Sequence, residues 1–177
     1  MPHIVAFMGE AGVGKTTVAD YLVAQQGFKR VKFADPLKNM LRAIGLTEDE
    51  IEGNLKNEPC DLLQWKTPRH AMQTLGTEWG RKLIGEKFWT DLWIATANNY
   101  RLVVCDDCRF PNEAEVIRSM GGRIVKIVRP SHVNPTEVAA HSSETSMNGI
   151  QPDVTIINDG SLGRLFEAAR EAAFVQI

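Results

Sequence analysis

The feature that most constrains this chain is Gly9-Glu10-Ala11-Gly12-Val13-Gly14-Lys15-Thr16, a full match to G-x-x-x-x-G-K-[ST]. It follows a short apolar run, Ile4 to Met8, and opens a segment, Lys15 to Gln26, whose Val18, Tyr21 and Leu22 have helical spacing before the stop at Gly27. Strand, glycine-rich turn and helix in that order make a phosphate cradle. The glycines let the backbone turn tightly and aim successive amides at phosphate oxygens, and the helix N-terminus adds partial positive charge. In such a loop Gly12, Val13 and Gly14 lend backbone amides and Lys15 reaches the β- and γ-phosphates. The Thr16 hydroxyl ligates Mg²⁺, and Thr17 donates to the α-phosphate.

The rest of the chain alternates apolar runs with helical periods. Phe28 to Ala34, Leu102 to Cys105, Ile124 to Val128 and Val154 to Ile157 read as strands. Pro36 to Ile44, a short helix capped by Thr47, Thr67 to Ile84, Phe88 to Ala97, Pro111 to Met120 and a C-terminal segment capped by Ser161 read as helices. The helix from Thr67 rests on Ala71, Leu75, Trp79 and Leu83 recurring every four residues; Asn54 to Lys66, without periodicity, reads as a loop. Near-continuous apolar strands alternating with helices predict an α/β domain, a parallel sheet covered on both faces. The expected organisation is one domain over residues 1–177, with a core of 1–35 and 100–177 and a helical insertion at about 36–99.

A nucleotide site with Mg²⁺ also needs a carboxylate at the end of a neighbouring strand. Leu102-Val103-Val104-Cys105 runs into Asp106-Asp107, which supplies one, with Asp107 the first choice and Asp106 the alternative. Composition narrows the ligand. With 20 basic and 22 acidic residues the net charge is −2, and there is no basic stripe of the kind that holds a nucleic-acid polymer. A small nucleotide is the expected partner. No apolar run reaches the ~20 residues of a membrane span, and no signal peptide opens the chain, so it reads as cytoplasmic. The three cysteines are too few for a disulfide framework, and the Cys105/Cys108 spacing lacks a second pair, so both read as incidental.

Among proteins with this loop, a GTPase needs an Asn-Lys-x-Asp segment, which is absent, and AAA-type ATPases are usually longer. A small-molecule kinase fits, and it needs arginines to neutralise phosphates; Arg69, Arg109 and Arg129 stand at element ends. Two other readings stay open: a kinase for another small phosphate acceptor such as dephospho-CoA, and a regulatory nucleotide-binding module without transfer.

Several blocks resemble the deoxynucleoside monophosphate kinases of tailed bacteriophages, within the superfamily of adenylate and dephospho-CoA kinases. They are Phe33-Ala34-Asp35-Pro36-Leu37-Lys38, Met72-Gln73-Thr74-Leu75-Gly76-Thr77-Glu78, Phe88-Trp89, and Asp107-Cys108-Arg109-Phe110-Pro111-Asn112-Glu113-Ala114. Val128-Arg129-Pro130, His141-Ser142-Ser143-Glu144 and Asn158-Asp159-Gly160-Ser161-Leu162 follow in the same order. The resemblance implies a three-layer P-loop kinase fold with a five-stranded parallel sheet in the order 2-3-1-4-5, a helical acceptor-binding insertion and a lid at about 129–150. It implies ATP as phosphoryl donor with Mg²⁺, held by Thr16 and Asp107, and a dNMP as acceptor. Lys15, Arg129 and Arg109 would be catalytic, Arg129 as the lid arginine. Asp35, Arg69, Gln73, Thr77, Trp89, Asp107, Arg109 and Glu144 would surround the acceptor, with Arg69 and Arg109 on its phosphate. Asn158, Gly160 and Ser161 would pack against the donor adenine. The resemblance implies the cytoplasm of a phage-infected bacterium as the setting, and leaves open whether the chain forms a homodimer.

Overall fold

The computed structural model describes residues 1–130, 147 and 149–174. The chain folds into two compact units, residues 1–32 with 94–177, and residues 33–93.

The first unit is built on a sheet. β1 (His3–Met8), β2 (Lys29–Arg30), β3 (Leu102–Cys105), β4 (Arg123–Val128) and β5 (Val154–Ile157) form five parallel strands in the order β2-β3-β1-β4-β5. This is the order the resemblance implies. All but the first residue of β1 are buried, as an apolar run covered on both faces must be. Val5 and Phe7 point to one side, where they pack with Val18, Ala19 and Leu22 of α1 (Lys15–Gln26) and with Leu165, Ala169 and Ala172 of α7 (Leu162–Phe174). On the other side α6 (Pro111–Ser119) lies over Ile4. A Cβ at Gly122 would stand 2.7 Å from the Ile117 side chain and 2.9 Å from that of Ile4, so only glycine lets helix and strand close there. Helices, sheet and helices make the three layers.

The second strand is shorter than its apolar run. Only Lys29 and Arg30 pair with β3, and the Val31 amide adds one further bond to the Val104 carbonyl at 3.0 Å before the chain leaves the sheet.

The second unit contains α2 (Asp35–Ala43), α3 (Glu48–Ile51), α4 (Pro68–Gln73) and the start of α5 (Phe88–Ala97). Thr47 caps α3 through a reciprocal box with Glu50, and Thr67 caps α4 by accepting from the His70 amide at 3.1 Å. Leu41, Leu46 and Ile51 are buried against Leu63, Ala71, Met72 and Leu75, and Phe33 stacks on the buried Trp93 at 4.7 Å. The stretch 54–66 holds two short 3₁₀ turns, Asn54–Asn57 and Asp61–Leu63, closed by a bridge between Cys60 and Lys66.

Beyond Gln73 the winding departs from the expected α-helix. Thr74–Ile84 is a π-helix. With i→i+5 bonding, a series of apolar residues every four positions drifts around the axis. Leu83, expected on the buried face, is 77% exposed. Gly76 and Gly80 weaken the α-form, and the indole of Trp89 occupies the space a Gly80 side chain would need, with the Cβ position 2.3 Å from its Nε1.

Candidate active site

Parallel pairing decides where the loops emerge. β1 and β3 run together with Ala6 opposite Cys105, β1 and β4 with Met8 opposite Lys126, and β4 and β5 with Val128 opposite Ile157. The residues that follow these strands therefore leave the same carboxyl edge of the sheet: the glycine loop, Asp106 to Arg109, Arg129 and Asn158. In an open α/β sheet this edge is where ligands bind.

The loop has the backbone its glycines permit. Gly9, Gly12 and Gly14 have φ of 138°, 82° and 109°, and a Cβ at Gly9 would lie 2.4 Å from the Ile127 carbonyl oxygen. No side chain caps α1 and no acidic residue stands in its first turn, so its leading amides keep their donor capacity for an anion. The Lys15 ammonium donates to the Gly9 carbonyl at 2.8 Å and to the Glu10 carbonyl at 2.5 Å, lying across the loop it serves. Val13 is buried, while Thr16 and Thr17 are exposed on the first turn.

Asn158 holds the loop from the far strand. Its backbone amide donates to the Val128 carbonyl at 2.7 Å, and its side-chain amide to the Val13 carbonyl at 2.9 Å. Gly160 and Ser161 are exposed just beyond, and the Ser161 hydroxyl accepts from the Arg164 amide at 3.4 Å to start α7.

The two acids after β3 have different surroundings. Asp106 is buried, its side chain 2% exposed, with Arg30 Nε 3.9 Å from one oxygen and Lys32 Nζ 3.8 Å from the other. Asp107 is only half-buried and accepts from the Cys105 thiol at 3.3 Å. Cys105 and Cys108 are both buried, and burial first, then the nearby carboxylates of Asp107 and Glu113, pushes both thiols up, so they stay protonated. Asp107 with the Thr16 hydroxyl suits Mg²⁺, a hard ion that takes few protein oxygens and completes its shell from phosphates and water. No cluster of three or more His, Cys, Asp or Glu competes for a metal among the described residues.

Arg109 is exposed, and its backbone is fixed by a residue that motif reading passed over. The buried Glu113 accepts from the Arg109 amide at 2.8 Å and the Phe110 amide at 3.1 Å, closing the turn before α6. Pro111 at the first helical position and a glutamate two residues later were the available signal. Arg129 is exposed directly after β4; Glu144, His141 and most of the expected lid lie outside the described residues.

In the second unit Asp35 opens α2, Arg69 donates to Asn57 Oδ1 at 2.6 Å, and Gln73 and Thr77 are exposed on consecutive turns. Trp89 is buried and its Nε1 donates to the Gly76 carbonyl at 2.8 Å, so the indole is a packing strut of the π-helix and not an open surface for a base.

The sequence profile of the Deoxynucleotide monophosphate kinase family matches residues 47–168. The chain belongs to this family. It is 32% identical over 180 residues to a candidate deoxynucleotide monophosphate kinase of Acanthamoeba polyphaga mimivirus, covering 92% of each chain. It is 23% identical over 167 residues to the deoxynucleotide monophosphate kinase of Enterobacteria phage T4, covering 89% of this chain and 68% of the phage protein. The structure resembles that of TT1252 from Thermus thermophilus with a TM-score of 0.54 and 17% identity, over 96% of this chain and 95% of that one, a likeness of fold.

Proposed function

We propose that this member of the family transfers the γ-phosphoryl group of ATP to a deoxynucleoside monophosphate, giving a dNDP and ADP. The observation that carries the reading is the convergence on one sheet edge of the phosphate loop, an acid pair and the arginines Arg109 and Arg129. The amides of Gly12, Val13 and Gly14, those of the first turn of α1, and the Thr17 hydroxyl hold the donor phosphates. Lys15 exchanges its loop carbonyls for the β- and γ-phosphates. Thr16 and Asp107 are the residues that would hold Mg²⁺, which neutralises charge on the donor when bound. An acceptor phosphate oxygen attacks in line, and because it is ionised at neutral pH no general base is needed. Catalysis is then positioning and charge stabilisation, with Arg129 on the transferring group and Arg109 on the acceptor phosphate.

The resemblance assigns the acceptor to the helical insertion, with Asp35, Arg69, Gln73 and Thr77 as its contacts and Glu144 beside them. Arg69 Nε donates to Asn57, a contact that orients the guanidinium while leaving its terminal nitrogens for a phosphate. Asn158 acts on the donor side by pinning the loop, with Gly160 and Ser161 next to the base. No helix among the described residues is long and apolar enough to cross a membrane. Such an enzyme works in the host cytoplasm on small nucleotides and not on a nucleic-acid polymer.

The test is ADP formation from Mg²⁺-ATP with each of dAMP, dGMP, dCMP and dTMP and the matching ribonucleotides. Turnover with one or more deoxynucleotides is expected, and Lys15→Ala should abolish most of it while leaving the circular dichroism spectrum intact. Absence of turnover with every acceptor, or near-normal turnover in Lys15→Ala, overturns the reading.

A further inference from the structure

Arg30 joins the two halves of the phosphate edge. It is one of only two residues in β2, opposite Val104. Its guanidinium reaches α1, where Nη2 donates to the Thr16 carbonyl at 3.2 Å and to Asp20 Oδ1 at 2.6 Å. The same group reaches the end of β3, where Nε stands 3.9 Å from the buried Asp106 carboxylate. That last approach is an ion pair and not a hydrogen bond. Arg30 Nε and Asp106 Oδ1 are both buried and have no hydrogen-bond partner. A carboxylate so enclosed, with Arg30 on one oxygen and Lys32 3.8 Å from the other, is occupied with charge pairing inside the protein. Its Oδ1 is fully enclosed, and the side chain as a whole is 2% exposed.

We infer that Arg30 is a positioning residue that sets the placement of Thr16 relative to Asp107, the two candidate metal-holding residues, by bracing the Thr16 carbonyl on one side and Asp106, the neighbour of Asp107, on the other. The inference rests on the phosphotransfer reading. Arg30 touches neither candidate ligand group itself: it contacts the backbone carbonyl of Thr16 and the side chain of Asp106, the residue before Asp107. Losing a group that orients a metal ligand from behind typically costs about 10–100-fold in metal affinity. Asp20 fixes the outer end of the guanidinium, so the brace has a defined direction.

The experiment uses the full chain and Arg30→Met, which keeps the stem and removes the guanidinium. ADP binding is measured in EDTA, Mn²⁺ binding in the presence of ADP is followed by the electron paramagnetic resonance of the free ion, and kcat and the dNMP KM are measured with Mg²⁺-ATP. The expected result is an unchanged metal-free ADP affinity, a fall of about tenfold in Mn²⁺ affinity, a comparable fall in kcat and an unchanged dNMP KM. Unchanged Mn²⁺ affinity overturns the inference. So does a parallel loss of metal-free ADP binding, which would make Arg30 a support of the helix alone. If Arg30→Met does not fold, Arg30→Lys, whose single ammonium cannot span both contacts, is judged by the same two affinities. A wild-type chain that forms no ADP with any acceptor defeats the phosphotransfer reading and leaves this comparison of affinities to stand by itself.

Discussion

Two glycines four residues apart in the π-helix should respond to the same substitution with opposite signs. At Gly80 an added Cβ would lie 2.3, 2.5 and 2.6 Å from Nε1, Cε2 and Cζ2 of Trp89, so the indole must move. Overpacking of this kind costs about 1–3 kcal/mol. Displacing the indole also strains or breaks the 2.8 Å bond from Trp89 Nε1 to the Gly76 carbonyl, worth about 1 kcal/mol. The helical preference of alanine over glycine returns about 0.8–1.0 kcal/mol. Gly80→Ala should therefore lose about 1–3 kcal/mol, a fall of roughly 2–4 °C in Tm for each kcal/mol in a chain this size. At Gly76 the nearest atom to an added Cβ is Leu37 Cδ2 at 3.5 Å, an ordinary contact, so Gly76→Ala should be neutral or gain up to about 1 kcal/mol. Urea denaturation of the two variants and the parent, followed by tryptophan emission and by circular dichroism, measures both. The reasoning is refuted if Gly80→Ala matches the parent, or if Gly76→Ala falls as far as Gly80→Ala.

Two further outcomes follow from the loops around the site. Glu113→Ala should lose about 0.5–2 kcal/mol by freeing the Arg109 and Phe110 amides, with kcat falling through a loosened Arg109; Glu113→Gln, which keeps one acceptor oxygen, should recover part of both, and equal losses in the two variants would refute the role. Cys105 and Cys108 are held protonated in the folded chain, so above the ordinary thiol value of 9.0 the unfolded chain binds fewer protons than the folded one. Stability from these thiols is thus complete below pH 9 and declines as pH rises beyond it, which urea midpoints from pH 7 to pH 10.5 would show. Replacing both by alanine should flatten that decline, and an unaltered slope would count against it.

Much of this architecture could be read in advance because its causes are local. Thr47 and Thr67 cap helices through hydrogen bonds that span three residues, and the glycine loop carries its own backbone requirements. The strands Leu102–Cys105 and Val154–Ile157 and the helix Phe88–Ala97 have the bounds their apolar runs predict. The departures arise where a distant residue decides. The four-residue period from Ala71 to Leu83 is genuine in the sequence, yet Trp89, thirteen residues beyond Gly76, takes the Gly76 carbonyl and fills the place of a Gly80 side chain. Likewise Phe28 to Ala34 has the composition of a long strand, but only its first residues find a partner in β3.

The acid pair shows the same limit within the site itself. Asp106 and Asp107 are chemically identical and adjacent, and the burial that separates them is not set by their immediate neighbours in sequence. Burial of a carboxylate demands compensating charge. That charge comes from Arg30 and Lys32, more than 70 residues earlier in the chain and brought to β3 by the pairing of Arg30 with Val104. The acid that receives them is the inward one. Asp107, the next residue, accepts from the Cys105 thiol and is left half-exposed. Of the two, Asp107 presents the more accessible carboxylate to an ion that arrives with the nucleotide, while Asp106 is engaged by Arg30 and Lys32. The division of labour between two identical residues is thus made by the two-residue strand on the far side of β3, and Asp106→Asn should weaken Mn²⁺ binding in the presence of ADP less than Asp107→Asn does. Equal loss in both variants would refute that division.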